Sequence, residues 1–270
     1  MTEQRRTELL RDLDRDTGWV LLVDGVEQSY VDTVDPTHLE FEYMQHMALA
    51  VDAALPPPGP VRAVHLGGGA QTMPRWLHAT RPGTTQVVIE SDPAVLDAVA
   101  WLGPVPGCEV VVGDALSVMR VLPARAFDLL VWDLYDGPRA VTTTLTGAAV
   151  DEMRRLVGDD TGLLVLNVSD VLPFEVVRPV LAALRDRCAD VALLAEPSTL
   201  RGRRSGNCVL VGAAGAPLPV SVLCRVAAAA PVRARVVAGD DLDVFVGDAQ
   251  PASEERPLPL PDAALGRGFL

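Results

Sequence analysis

Apolar residues fall in short, nearly unbroken runs along most of this chain, separated by stretches whose apolar positions recur at helical spacing. The runs at 61–66, 86–90, 109–112, 127–133, 162–168, 190–195 and 207–212 have the length and β-branched content of strands. Between them, Ala94–Leu102 and residues 146–157, 173–187 and 218–229 read as helices. Ser91-Asp92-Pro93 supplies a cap residue and a first-turn proline for the first of these. Strands that are apolar on both sides and alternate with helices predict a mostly parallel sheet covered on both faces. The N-terminal pattern differs. Residues 19–32 form two β-rich runs around Asp24-Gly25, a hairpin signal because glycine accepts the positive φ of a tight turn. A helix follows from about Leu39 to Ala54, and Pro56-Pro57-Pro58-Gly59-Pro60 then stiffens the chain. That run predicts a division into a hairpin-and-helix extension (1–58), a main α/β domain (59–250) and a Pro-rich tail (251–270).

Composition narrows the partners. The 270 residues allow one sizeable core, and a net charge of -13 repels phosphate backbones, so a nucleic-acid partner is not expected while a cationic ligand is attracted. All 23 basic residues are arginine, which excludes both a Schiff-base lysine and a phosphate-loop lysine. Cys108, Cys188, Cys208 and Cys224 show no CxxC spacing and no histidine at ligand spacing. They read as small buried hydrophobes of a reducing compartment, with no metal site. The charged segment Met1–Asp16 argues against a signal peptide, so a cytoplasmic protein is expected. Residues 205–224 carry no charge, yet Asn207, Gly212, Gly215, Pro217 and Pro219 interrupt them. They read as a strand, a turn and a helix start, and no membrane span is expected. His38, His46, His65 and His78 read as packed or solvated residues, and Trp76, Trp101 and Trp132 as core.

The first main strand runs into Gly67-Gly68-Gly69, which lets the backbone pass close to a nucleotide-like ligand. Glu90, about 20 residues on at the next strand end, suits a ribose hydroxyl pair. Asp114 of Val-Gly-Asp-Ala, followed by Ala115, suits an adenine amino group. The third glycine position of a dinucleotide fingerprint is Thr72, so a pyrophosphate is not demanded. The fourth strand ends in Asp133-Leu134-Tyr135-Asp136, two acids above the same crevice. One carboxylate can take the proton of an attacking amine while a second orients it, and the Tyr135 ring can cover a cation.

Taken in order, the Asp24–Gln28 hairpin, Tyr43, the Gly67–Gly69 loop, Glu90, Gly113-Asp114 and Asp133-x-x-Asp136 resemble the spermidine synthase family of aminopropyltransferases over residues 19–212. The resemblance implies a doubly wound α/β fold of the class I S-adenosylmethionine-dependent methyltransferase (Rossmann-like) type, with a small N-terminal β-hairpin subdomain. It implies decarboxylated S-adenosylmethionine as co-substrate and a small-molecule polyamine as acceptor. By position, Gln28, Gly67, Gly68, Gly69, Glu90, Asp114 and Ala115 would hold the nucleoside. Asp133 would accept the proton, and Asp136, Tyr43 and Tyr135 would face the amine. The chain departs from the family where Ala70 replaces an acid that binds the donor's ammonium, and where Met44-Gln45 follows the tyrosine. Ala70 and Gln71 keep intact S-adenosylmethionine, and with it methyl transfer, as an alternative, beside a non-catalytic nucleoside-binding relative. The exposed hairpin edge predicts a homodimer.

Overall fold

The computed structural model describes residues 6–55, 59–136, 139–140 and 144–259, with Asp136, Arg139 and Ala140 described by backbone alone. Strands β1 (Thr7–Arg11), β2 (Gly18–Val23) and β3 (Val26–Asp32) form a small antiparallel sheet. The β2–β3 connection is the predicted hairpin, with Asp24 and Gly25 at φ of 52° and 78°. The sequence pattern did not reveal β1, whose mixed Thr-Glu-Leu-Leu-Arg run lacks regular alternation.

Helix α1 (Glu42–Ala54) leads to the main sheet, which begins β4 (Arg62–Leu66), α2 (Thr72–Thr80), β5 (Thr85–Glu90), α3 (Pro93–Val99), β6 (Cys108–Val112), α4 (Ala115–Val121) and β7 (Leu129–Trp132). A short ribbon, β8 (Tyr135–Asp136) with β9 (Arg139–Ala140), precedes α5 (Gly147–Leu156) and β10 (Leu163–Asp170). Then come α6 (Val177–Arg185), β11 (Asp190–Ala195), α7 (Pro197–Leu200), β12 (Gly206–Ala213), α8 (Val220–Ala229), β13 (Arg235–Ala238) and α9 (Asp240–Val246). The strand order is β13-β11-β12-β10-β7-β4-β5-β6. Strands β6 to β10 in that order pair in parallel, while β12 and β13 run the other way. The sheet is therefore mostly parallel and doubly wound, with its order reversing between β4 and β7.

Side chains alternate across each strand, and that alternation builds two separate core layers. Val64, Leu66, Leu130 and Trp132 face Met119, Met153 and Leu181 on one side. Ala63, Leu129, Val131 and Val165 face Met47, Val51, Leu77 and Leu223 on the other. Helix α1, grouped by the proline run with the hairpin, packs on the main sheet against β10 and β12. In the tail, Ala252 and Leu258 join the first layer, and Ala252 O accepts a bond from Gly147 N (2.9 Å). Residues 260–270 lie outside the described residues.

Two expectations are corrected. Trp101 is not core but 55% exposed, stacked edge-on against Trp19 at 4.5 Å, because it sits on a surface turn after α3. Cys224 is exposed on the outer face of α8, so it is not a buried hydrophobe. Among the described residues no helix is long and apolar enough to cross a membrane.

Candidate active site

A cavity of about 370 Å³ opens where the strand order reverses, at the carboxyl ends of β4, β5 and β7. Its floor is the glycine loop. Gly67, at φ 99°, is placed so that a Cβ would stand 2.2 Å from Asp133 O, and only a residue without side chain fits. Two bonds lock this approach: Gly67 N donates to Ile89 O (2.9 Å), and Asp133 N donates to Leu66 O (2.9 Å). The loop thus holds the end of β4 against the tip of β7.

Glu90 lines the cavity and already works on the loop. Its Oε2 accepts from Gly68 N (2.8 Å), and its Oε1 accepts from Asp92 N (2.9 Å). Asp92 in turn caps α3 through Ala94 N (2.9 Å), as the sequence predicted. Asp114 also lines the cavity, and it caps α4 by accepting from Ser117 N (2.9 Å) and Ser117 Oγ (2.7 Å). Those two bonds hold its carboxyl below the usual carboxylate value. Gln28 and Ala115 complete this side of the wall.

The hairpin covers the loop. Thr72, standing where a dinucleotide site has its third glycine, donates from Oγ1 to Tyr30 O (2.8 Å) and pairs with Ser29 Oγ (2.9 Å). Ala70 is buried in a small apolar cluster with Leu21, Val23, Val31, Val95 and Val99, of which Leu21, Val23 and Val95 also line the cavity. Alanine at this position brings no charge to that wall. Gln71 is buried at φ 60° with Oε1 lacking a hydrogen-bond partner, and it is not on the cavity wall. Thr72→Val is expected to remove about 1–2 kcal/mol of hairpin docking. Thermal melting should read this as a Tm drop of roughly 3–6 °C, with lost amide protection concentrated in β3.

Asp133 stands at the tip of β7, half-buried in the far wall of the cavity. It does not cap the following loop. Instead Oδ2 accepts from Tyr43 Oη (3.2 Å) and Oδ1 accepts from Asn167 Nδ2 (2.9 Å). Removal from bulk water pushes its carboxyl up to about 6, against the opposing pull of Asn167 and Tyr43. Burial, then the charge of Asp133, holds the Tyr43 phenol well above its usual value, so it stays a donor.

The network extends further. Asn167 Nδ2 also donates to Tyr135 Oη (3.2 Å), which reaches Asn207 Oδ1 (3.1 Å) and Ser169 Oγ (2.8 Å). Ser169 Oγ donates to Asn207 Oδ1 (2.6 Å) across the β10–β12 pair. Asn167, Ser169 and Asn207 were missed in the sequence. The available signal was polar residues at alternate positions on one face of otherwise apolar strands. The Asp136 side chain lies outside the described residues.

His65 is buried, bonded through Nε2 to Gln86 Oε1 (2.8 Å), and burial lowers it to about 4, so it is a neutral packed residue as expected. Met44 lines the cavity beside Tyr43, whereas the Gln45 side chain turns away to donate to Leu39 O (2.7 Å).

No family model matches the chain, and no curated protein matches it in sequence. Comparison with solved structures is decisive for layout. The fold superposes on that of a probable spermidine synthase from Corynebacterium glutamicum ATCC 13032 with a TM-score of 0.84 at 26% identity, covering 93% of this chain and 94% of that one. This chain is spermidine synthase-like. The spermidine synthase of Thermotoga maritima matches at a TM-score of 0.57 and 18% identity, over 80% of this chain and 71% of that one. Human methyltransferase-like protein 13, in complex with SAH, matches at 0.56 and 17%, over 79% and 96%. Those two likenesses are of fold alone.

Proposed function

We propose that the chain is a transferase that moves an aminopropyl group from decarboxylated S-adenosylmethionine to an amine, releasing methylthioadenosine. One observation carries this reading: Glu90 and Asp133 face a single cavity from opposite sides of the glycine loop. Glu90, Asp114 and Gln28 suit the adenosine, with Glu90 accepting both ribose hydroxyls. The sulfonium and its leaving methylene would then lie over Gly67, next to Asp133. The solved relative holding SAH in the same fold supports a ligand of this class.

In the reaction, the acceptor arrives as an ammonium and the Asp133 carboxylate takes one proton. The freed nitrogen lone pair attacks the methylene on sulfur; the C–N bond forms as the C–S bond breaks. Both electrons of that bond stay on sulfur, which leaves as neutral methylthioadenosine. Tyr43 and Asn167 keep Asp133 aimed into the cavity. Asp136 is proposed, from its place in β8 three residues beyond Asp133, as a second contact to the amine, and Tyr135 as a wall of the amine site. Mass spectrometry of the purified protein with each donor and an amine panel tests the reading: methylthioadenosine supports it, whereas S-adenosylhomocysteine from the intact donor identifies a methyltransferase.

Glu90→Gln removes the charge that two ribose hydroxyls would bond. A charge-assisted contact of about 1.5–3 kcal/mol is lost, so calorimetry with methylthioadenosine is expected to show affinity weakened by roughly 10- to 150-fold. An unchanged affinity would place the ribose elsewhere. The hairpin edge and the acidic surface fit a small cationic acceptor and a homodimer, a state that sedimentation measures directly.

A further inference from the structure

Among the described side chains on the cavity wall, His65 alone keeps a buried polar atom without a hydrogen-bond partner, its Nδ1. The neighbouring amide fixes the ring's protonation. Pro74 O can only accept, so the Gln86 amide turns its NH2 to it (2.9 Å) and its carbonyl oxygen to His65 (2.8 Å). His65 Nε2 therefore carries the proton, and Nδ1 of the neutral ring is a bare lone pair. Burial, which lowers the imidazole to about 4, keeps it in that form at neutral pH.

Strand register sets the direction of that lone pair. Gln86 is level with Ala63, two residues nearer the amino ends of the parallel strands than His65. Nε2 is thus drawn down the sheet, and Nδ1, on the opposite edge of the ring, is turned up toward the carboxyl ends where the cavity opens. His65 pairs with Val131 and shares its face of the sheet, in the layer that includes Met44 and Met73. All three of those neighbours line the cavity. The two methionines are unbranched and repack readily, so the end of a ligand can reach Nδ1.

Resting on the aminopropyl-transfer reading, we infer that His65 Nδ1 accepts a hydrogen bond from the terminal ammonium of the donor's aminopropyl chain. Glu90 and Asp114 suit the ribose and the adenine, Asp133 serves the acceptor amine, and Ala70 offers the donor no charge. With sulfur over Gly67, the ammonium lies three methylenes away, and His65 stands two residues down β4, about 6.6 Å of parallel strand. A three-carbon chain and one hydrogen bond span that distance. His65 is thus a binding residue that anchors the donor chain, and it takes no part in the proton transfer to Asp133.

The test compares decarboxylated S-adenosylmethionine with the sulfonium in which propyl replaces aminopropyl, so that only the ammonium differs. In calorimetry His65→Leu should weaken the donor by about 10- to 150-fold, the range of one hydrogen bond to a charged group. The propyl analogue should change by no more than about threefold. Because His65→Leu strands Gln86 Oε1, the comparison is repeated in the double variant His65→Leu with Gln86→Met. Nitrogen NMR of the ring in the native protein needs no substitution. There the Nδ1 resonance should move upfield with the donor and stay in place with the propyl analogue. Equal losses for both ligands, or an Nδ1 signal indifferent to the ammonium, would overturn the inference and leave aminopropyl transfer standing. A shift produced by an amine acceptor alone would give this nitrogen to the acceptor and overturn it as well. If neither sulfonium bound the native protein, the donor reading itself would fall, and the His65 assignment with it.

Discussion

Asp133→Asn is expected to lower turnover by about 10²–10⁴-fold, the loss typical of a removed general base, while affinity for methylthioadenosine stays within a factor of two or so. The substitution keeps the shape and the Asn167 and Tyr43 neighbours but cannot take a proton. Unaltered turnover would remove Asp133 from the chemistry. The pH profile supplies an independent readout. With the free carboxyl raised to about 6, kcat/KM for an acceptor that binds as its cation should fall tenfold per unit below that value and flatten above it. Asn167→Leu deletes a bond that favours the ionised form, so the acid limb should move to higher pH. Stability runs in the opposite sense. A carboxyl raised on folding contributes stability that is fully present below its ordinary value near 3.8 and is lost as pH rises through about 6. Asp133→Asn should flatten that slope in the unliganded protein, measurable as a Tm that no longer declines between pH 4 and pH 6.

The fold was legible where one physical rule dominated. Strands buried on both faces read as apolar runs, and Asp24-Gly25 and Asp92-Pro93 announced a turn and a helix start by their backbone demands. Glycines at 67–69 and acids at 90, 114 and 133 fell at strand ends because strand ends are where the apolar runs stop. What escaped had mixed or weak signals. Strand β1 is half-exposed without alternation, and Trp101 looked like core because its type, not its place on a surface turn, was read. Ala70 shows a different limit. The resemblance set it beside the ligand, and the turn through Gly69 and Gln71, both at positive φ, buries it in an apolar cluster that shares Leu21, Val23 and Val95 with the cavity wall. Side-chain direction in such a turn depends on dihedral angles that residue identity does not specify. The Asn167–Ser169–Asn207 network escaped because it assembles across two strands some 40 residues apart, and only the β10–β12 register brings its members together.

Gly67→Ala is expected to be strongly damaging. At φ 99° a Cβ is disfavoured by about 1–2 kcal/mol from backbone sterics alone. The added carbon would also stand 2.2 Å from Asp133 O, a backbone atom fixed by the Asp133 N to Leu66 O bond, so neither partner can yield by a rotamer change. Overpacking of this kind typically costs a further 1–3 kcal/mol or so. Together they predict a loss of about 2–5 kcal/mol and a Tm lower by roughly 5–15 °C. Relief of the clash must push β7's tip from β4, and that movement carries Asp133 away from the loop. Nucleoside affinity and turnover should therefore fall together, unlike in Asp133→Asn, where only turnover falls. Gly103→Ala is the matched control, since it too has a positive φ (74°) but its Cβ would meet nothing within 4 Å. A Gly67→Ala protein as stable and active as that control would show that the β4–β7 approach does not hold the site together.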